Sequence, residues 1–429
     1  MFRLPHFGRR FALLAAAAAL LGMTRPAAHA ADTGKITLTF ANWADAEAAT
    51  RPGIEKIIQD FEHAHPNIEI KSEAISFSEI ARQLVLRVRA GNPPDVAELA
   101  GNDTILVAET GKLQPLNSLV GAKEMAALKP SALEGLSQHG KLIAFPWTQA
   151  PAALWYNKDI MKQAGLNPGN PPKTIAELMA DMAAIKKSQP GVVPIGLDTT
   201  NRPFGLISNW PWMQVFGADP MANSGKGAEA PAMKAYLTWM RTVVQQGYTE
   251  PGQKIGDFRP LAAQDKLAFG WDQVLLQGVI ESINHMSDAQ FYQHWGVTTL
   301  PVGAAGRPFS FDGGHQLVMF ASSPHKAAAW TFINYLATSP NAIRNYTVRY
   351  ESSLMPLKQA PSAELAKLLD TPVFNAFRDK VMPTVALPPY GPNFAAASTA
   401  IMAGVQQAVT GTTPIDDIAK SIAQNLAND

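Results

Sequence analysis

Cysteine is absent from all 429 residues, which excludes disulfides, thiolate metal sites, a cysteine nucleophile and a lipid-bearing cysteine. A strong charge of either sign is missing as well. Lys and Arg number 36 against 35 Asp and Glu; residues 1–30 hold four arginines and no acids, so the rest carries 32 basic against 35 acidic residues. That balance argues against nucleic acid or an anionic membrane as main partner, since both need a basic surface. Hydrolase signatures are lacking: there is no Gly-x-Ser-x-Gly and no His-Glu-x-x-His, the acids are scattered over loops, and His63-x-His65 is a lone pair at a helix end. No enzymatic activity, cofactor or metal is expected. Neither a repeat nor a long disordered linker occurs. The apolar run Phe11–Met23 falls short of the roughly 20 residues that span a bilayer.

That run follows Arg3, Arg9 and Arg10 and precedes Ala28-His29-Ala30, so residues 1–30 read as a secretory signal cleaved after Ala30. Arg9-Arg10-Phe11 also fits a twin-arginine signal, and the export route stays open. The expected product is a free periplasmic monomer, not a lipoprotein.

The length suits two large lobes better than one core. Gly140–Ile160 looks like the passage between them. It holds the apolar run Leu142–Phe145, a break at Pro146-Trp147, a second run Ala152–Tyr156, and polar Asn157-Lys158-Asp159. Proline has no place in a central ladder, so the chain reads as leaving one sheet and entering another. Val297–Pro301 and Tyr350–Pro356 are further candidate crossings. Strands at Ile36–Phe40, Ile68–Ile70 and Asp95–Leu99 alternate with helices after Thr50-Pro52 and around Ile80–Val88. This pattern predicts mostly parallel sheets with helices on both faces. Later stretches add a capping box at Thr174 and Glu177, strands at Val192–Leu197, Lys266–Trp271 and Leu317–Phe320, and a tryptophan-rich helix near Trp210.

Taken in order, several of these stretches resemble the extracellular solute-binding proteins of ABC transporters, the sugar-binding group that includes maltose-binding and glycerol-3-phosphate-binding proteins. The matching pieces are Phe61–Ile68, Ala90–Val96, Gly140–Pro146, Tyr156–Asp159, Pro172–Thr174, Lys266–Trp271, Leu300-Pro301, Lys326–Phe332 and Pro356. The resemblance implies an α/β, two-lobed periplasmic-binding-protein-like fold of type II with about three crossings. It implies a first lobe of 31–146 plus 302–348 and a second of 147–301 plus 349–429. It also implies closure on a sugar, oligosaccharide or polyol for a membrane permease; an organic phosphate, another anion or a metal is the alternative cargo.

In such sheets the ligand lies beyond the carboxyl ends of the strands, and a sugar wants aromatic faces with carboxylates and amides. Candidates after the first three strands are Asn42, Trp43 and Asp45, then Phe77, then Glu98, Asn102 and Asp103. Phe77 reads equally as packed core, and the alternative for Trp43 is packing under the following helix, whereas Asp95 matches a position that looks structural. Trp147 and Gln149 lie inside the first crossing. In the second lobe Asn201, Arg202, Trp210 and Trp212 form the densest aromatic and polar cluster; tryptophans two apart on a helix predict that one faces the cleft. Trp271, Asp272, Gly313, Gly314 and His315 follow, the glycines offering backbone N–H groups. Arg349 and Glu351 suggest an anionic ligand or a local ion pair, and Tyr390 sits among prolines where a ligand-stacking aromatic is expected.

Overall fold

Alternating apolar and threonine residues make Ile36–Asn42 a strand (β1), because β-branched side chains suit a pleated surface. Pro52 in the first turn sets the helix Arg51–Ala64, whose Ile54, Ile57, Ile58 and Phe61 share one buried face. They join Leu38 and Phe40 in one core. The computed structural model describes residues 34–391 and 393–428; the expected signal segment lies outside them. Among the described residues no helix is long and apolar enough to cross a membrane.

Strands β2 (Ile68–Ala74), β3 (Val96–Ala100) and β4 (Phe145–Pro146) join β1 in a first sheet. A second holds β5 (Ala152–Asn157), β6 (Val193–Gly196), β7 (Leu267–Gln273) and β8 (Trp295–Thr298), and β9 (His315–Met319) returns to the first. The orders are β2-β1-β3-β9-β4 and β8-β5-β7-β6, a two-lobed mixed α/β architecture. The sheets are less parallel than the alternation of strands and helices predicts. β1 runs parallel to β2 and β3, but β9 is antiparallel to both β3 and β4. In the second sheet β5 is antiparallel to β8 and β7, and β6 is parallel to β7. A strand arriving from the other lobe enters from the opposite end to strands wound by local crossover helices, which reverses its direction.

Gly140–Ile160 does join the lobes: β4 lies in the first sheet and β5 in the second. Val297–Pro301 does not cross. Val297 and Thr298 pair with Trp155 and Leu154, Val302 bridges Thr174, and the chain changes lobe only at Asp312–Gly314. The third crossing, near Arg349–Leu354, lies where the sequence places it. From there the chain visits both cores in turn. Met355, Leu357, Leu365 and Leu369 pack into the first, although the sequence assigns 349–429 to the second, and Val373, Phe377 and Val381 then pack into the second.

The three passages are bonded side by side. Gln149 and Leu354 exchange N–H to C=O bonds of 2.8 Å, the Gly313 N–H donates to Ala150 O at 3.0 Å, and the Trp147 N–H donates to His315 O at 2.9 Å. Such a joint resists twisting and permits bending.

Asp95 stitches the first lobe. Its carboxylate accepts from the N–H and hydroxyl of Thr39, both at 2.8 Å, and from the Ser323 hydroxyl at 2.6 Å. Replacing it (Asp95→Ala) strands these donors, and urea unfolding is expected to show a loss of about 2 to 3 kcal/mol.

Candidate functional site

Beside the hinge the lobes enclose a cavity of about 210 Å³. The first lobe contributes Ser131–Leu136 without Leu133, together with Gly101, Pro146 and Gln316. Thr148, Gln149, Asp312 and His315 come from the crossings, and Met382, Pro383, Val385, Leu387 and Tyr390 from the second lobe.

Each polar wall group is fixed by its backbone surroundings. Gln149, held by Leu354, places its amide 3.4 Å from the Ser131 hydroxyl. Lys129, outside the lining, donates to Met355 O at 2.9 Å and approaches Gln149 Oε1 at 3.4 Å. Burial brings the Lys129 pKa down to about 8 against the pull of Asp312. Asp312 Oδ1 accepts from the Ala150 and Gly314 N–H groups at 2.7 and 2.8 Å, and burial nonetheless raises its pKa. Tyr390 rests edge-on against Phe394 at 5.0 Å, and its buried hydroxyl has no hydrogen-bond partner. That hydroxyl comes so near Gly101 (φ +49°) that a Cβ there would stand 3.1 Å from it.

Behind the cavity lies a cluster of buried charges. Glu98, fully buried, accepts from the Trp43 and Ala44 N–H groups at 3.0 and 3.1 Å through Oε2. Its Oε1 stands 2.8 Å from His315 Nδ1, and the two form an ion pair. Glu351 meets the other ring nitrogen at 3.3 Å. Burial opposes a charge on His315, but Glu351, Glu98 and Glu47 outweigh it and raise the pKa to about 9. Burial lifts Glu351 to about 7; His315 and Arg259 pull it down while Glu98 and Glu47 push it up. Among the described residues no group of three or more His, Cys, Asp or Glu side chains is placed to hold a metal.

Of the candidates read from the sequence, Gln149, His315 and Tyr390 line the cavity. Glu98 and Glu351 stand behind them on His315. Asn42 instead serves its own lobe, donating to Phe40 O and Ser72 Oγ and accepting from the Asp45 N–H. Asp45 accepts from Ser72 Oγ and pairs with Arg51 at 3.5 Å. Trp43 is wedged edge-to-face between Phe77 and His315. Asn102 is buried with Oδ1 unpaired. Burial raises Asp103 to about 6.

The tryptophans are the clearest correction. Trp210 and Trp212 are both buried, because the helix Pro203–Val215 is surrounded: ten of its residues, Gly205–Met213 and Val215, are buried. Two-residue spacing separates a buried from an open side only where a helix has an open side, and this one does not. Trp212 stacks on Trp239 at 5.0 Å, and Trp271 donates to Ser208 O at 2.9 Å. Trp147 stacks on Tyr346 at 4.6 Å in the first-lobe core. Asp272 is held by Arg259 at 2.8 and 2.9 Å. Gly313 and Gly314 do permit close approach, but the partner is the hinge itself: a Cβ on Gly314 would lie 2.2 Å from Thr148 O. Arg349 is exposed, lying 5.8 Å over the Tyr350 ring. The sequence reading missed Ser131, Glu134, Thr148, Asp312 and Gln316. Asp312 and Thr148 adjoin residues it named; Ser131–Leu136 carries no motif.

Residues 45–343 match the family described as bacterial extracellular solute-binding protein. The sn-glycerol-3-phosphate-binding periplasmic protein of Rhizobium meliloti is 23% identical over 344 residues, 76% of each chain. A maltotriose-binding protein of Pyrococcus abyssi is 24% identical, covering 73% of this chain and 64% of that one. Among solved structures, a solute-binding protein of Thermotoga lettingae with bound α-D-tagatose superposes with a TM-score of 0.79 at 22% identity, covering 92% and 99% of the two chains.

The buried cluster sets the sign of a pH effect. Glu351, at about 7 against an ordinary 4.5, and His315, at about 9 against 6.5, both hold protons more tightly when folded. Their contribution to stability therefore falls as pH rises from about 5 to about 8. Asp103 and Asp181, each raised to about 6, act in the same sense, and Lys129 opposes them only above about 8. The melting temperature is expected to decline across this window, and Glu351→Gln to flatten its lower half. A melting temperature that climbs with pH would refute the charge arrangement.

Proposed function

Because the chain belongs to the family of bacterial extracellular solute-binding proteins, we propose that it captures a neutral polyhydroxylated solute between its lobes. The cargo is a sugar, oligosaccharide or polyol, passed on to the membrane permease of an ABC importer. The lining of the cavity carries this reading. Hydroxyls, amides and two carboxyls, from Ser131, Thr148, Gln149, Gln316, Glu134, Asp312 and Tyr390, surround it, and no lysine or arginine lines it among the described residues. Hydroxyl groups donate to and accept from such a set, whereas a phosphate or carboxylate requires a cation. His315 does not supply one freely, since Glu98 and Glu351 flank its two nitrogens. The bound tagatose of the Thermotoga lettingae relative and the name of the Pyrococcus abyssi relative support a sugar.

In this proposal the protein carries out no reaction. It works as a monomer, since one chain supplies both lobes, and it operates in the periplasm after residues 1–30 are removed. Closure about the three crossings couples binding to shape, so the closed form is stabilised by the solute it encloses.

Isothermal calorimetry on the mature chain against sugars, polyols, organic phosphates and amino acids is expected to give heat only with the first two. Gln149→Ala should weaken that binding about tenfold. Small-angle scattering should show a smaller radius of gyration on saturation. Binding confined to a phosphate or an amino acid overturns the proposal.

A further inference from the structure

The amide of Gln149 has a direction, and a lysine outside the cavity sets it. The main chain of Gln149 is fixed by its two bonds to Leu354, and the residue is 1% exposed. What is left to settle is which end of the amide points where. A carboxamide presents an acceptor at one end and two donors at the other, in groups of nearly equal size, so the neighbours decide its orientation.

Lys129 stands at the oxygen end, 3.4 Å from Oε1, and does not line the cavity. Ser131, whose hydroxyl is 3.4 Å from Nε2, and Asp312 do line it. The Asp312 carboxyl and the Gln149 side chain face each other, which offsets part of the rise that burial imposes on Asp312. An ammonium only donates and a carboxylate only accepts. With the cation behind and the carboxyl in front, the amide oxygen is drawn away from the cavity and the NH2 group towards it. The reverse orientation would set donors against donors and oxygen against oxygen.

The lysine is built into its place. Its N–H donates to Pro356 O and its ammonium to Met355 O, each at 2.9 Å, while the Lys358 N–H donates to Ala127 O at 2.9 Å. These bonds fasten it along the end of the third passage, and the short helix Pro130–Leu133, which carries Ser131, starts at the next residue. The oxygens that its ammonium meets at hydrogen-bond distance, those of Met355 and Gln149, are both neutral. Asp312 and Arg378 face it from further off, the first favouring its charge and the second opposing it. A cation set among neutral groups costs stability. Its effect here is a fixed donor on the cavity wall.

We propose that Lys129 is a positioning residue: it holds the Gln149 amide oxygen away from the cavity, so that the amide NH2 donates to an oxygen of the enclosed solute. The cation acts on the amide and not on the cargo, so a lysine this near leaves the lining without a positive charge. This rests on the reading of the cargo as a neutral polyhydroxylated solute.

The experiment is calorimetry on the full mature chain with D-tagatose, D-glucose, D-mannitol and maltotriose, and with sn-glycerol-3-phosphate as the anion. For the sugar or polyol that binds most tightly, Lys129→Met, shown folded by its thermal transition, should bind about three- to tenfold more weakly than the wild type. In the Gln149→Ala background the same change should bring no further loss, because the amide through which it acts is gone. The pH separates positioning from packing. Burial brings Lys129 to about 8, and a neutral amine accepts from the NH2 group as readily as it donates to the oxygen. The advantage of the wild type over Lys129→Met should therefore be full at about pH 7 and nearly gone at about pH 9.5. His315, at about 9, titrates in both proteins and drops out of their ratio. Equal binding by wild type and Lys129→Met at about pH 7, an added loss in the Gln149→Ala background, or a ratio that does not change with pH each overturns the proposal. Heat from sn-glycerol-3-phosphate with none from any sugar or polyol overturns the reading of the cargo instead.

Discussion

Gln149 and Leu354 exchange both of their backbone hydrogen bonds, and around that antiparallel rung three separate passages of the chain are held together. The Gly313 N–H reaches Ala150 from the other side, and Asp312 accepts from Ala150 and Gly314, so the rung has neighbours on both flanks. The spacing leaves no room for side chains at the glycines. Everything near the cavity is positioned from here: Thr148 and Gln149 lie along the middle passage, Asp312 and His315 along the next, and Glu351 along the third. Bending the lobes about this joint moves the far walls while leaving the floor intact.

The floor carries charges that cancel one another. Burying an ion is tolerable when an opposite charge and hydrogen bonds compensate it. Here Glu98 takes two N–H groups from the loop after β1 and faces an imidazole on β9, so one carboxylate ties the ends of β1, β3 and β9. Glu351 brings the third crossing to the same ring. The result is a rigid, nearly neutral base, which suits the uncharged cargo we propose better than an anion.

How much of this was legible in the sequence depended on whether a local rule or a tertiary one decided the outcome. Pro146 between two apolar runs marked the first crossing, since backbone chemistry alone forbids a central ladder there. Thr174 and Glu177 announced their helix start through a capping box whose bonds are all local. Trp210 and Trp212 misled because their helix is buried on every side, which two-residue spacing does not reveal. Val297–Pro301 has the same apolar-then-proline look as the true crossing, yet β8 lies beside β5. Arg349 and Glu351 are close in sequence, yet the turn exposes one and half-buries the other. Residues 131–136 reach the cavity only through long-range packing, and nothing in their types announces it.

The position of β9 governs when the molecule can become itself. It lies between β3 and β4, pairing Val96–Ala100 with residues more than two hundred positions later in the chain. A growing polypeptide that stops short of His315 leaves β3 without its second neighbour and β4 with none in the sheet. The first lobe, though encoded first, cannot complete its sheet until about three quarters of the chain has been synthesised, and contacts this distant form slowly. The nascent chain thus stays unfinished for most of its synthesis.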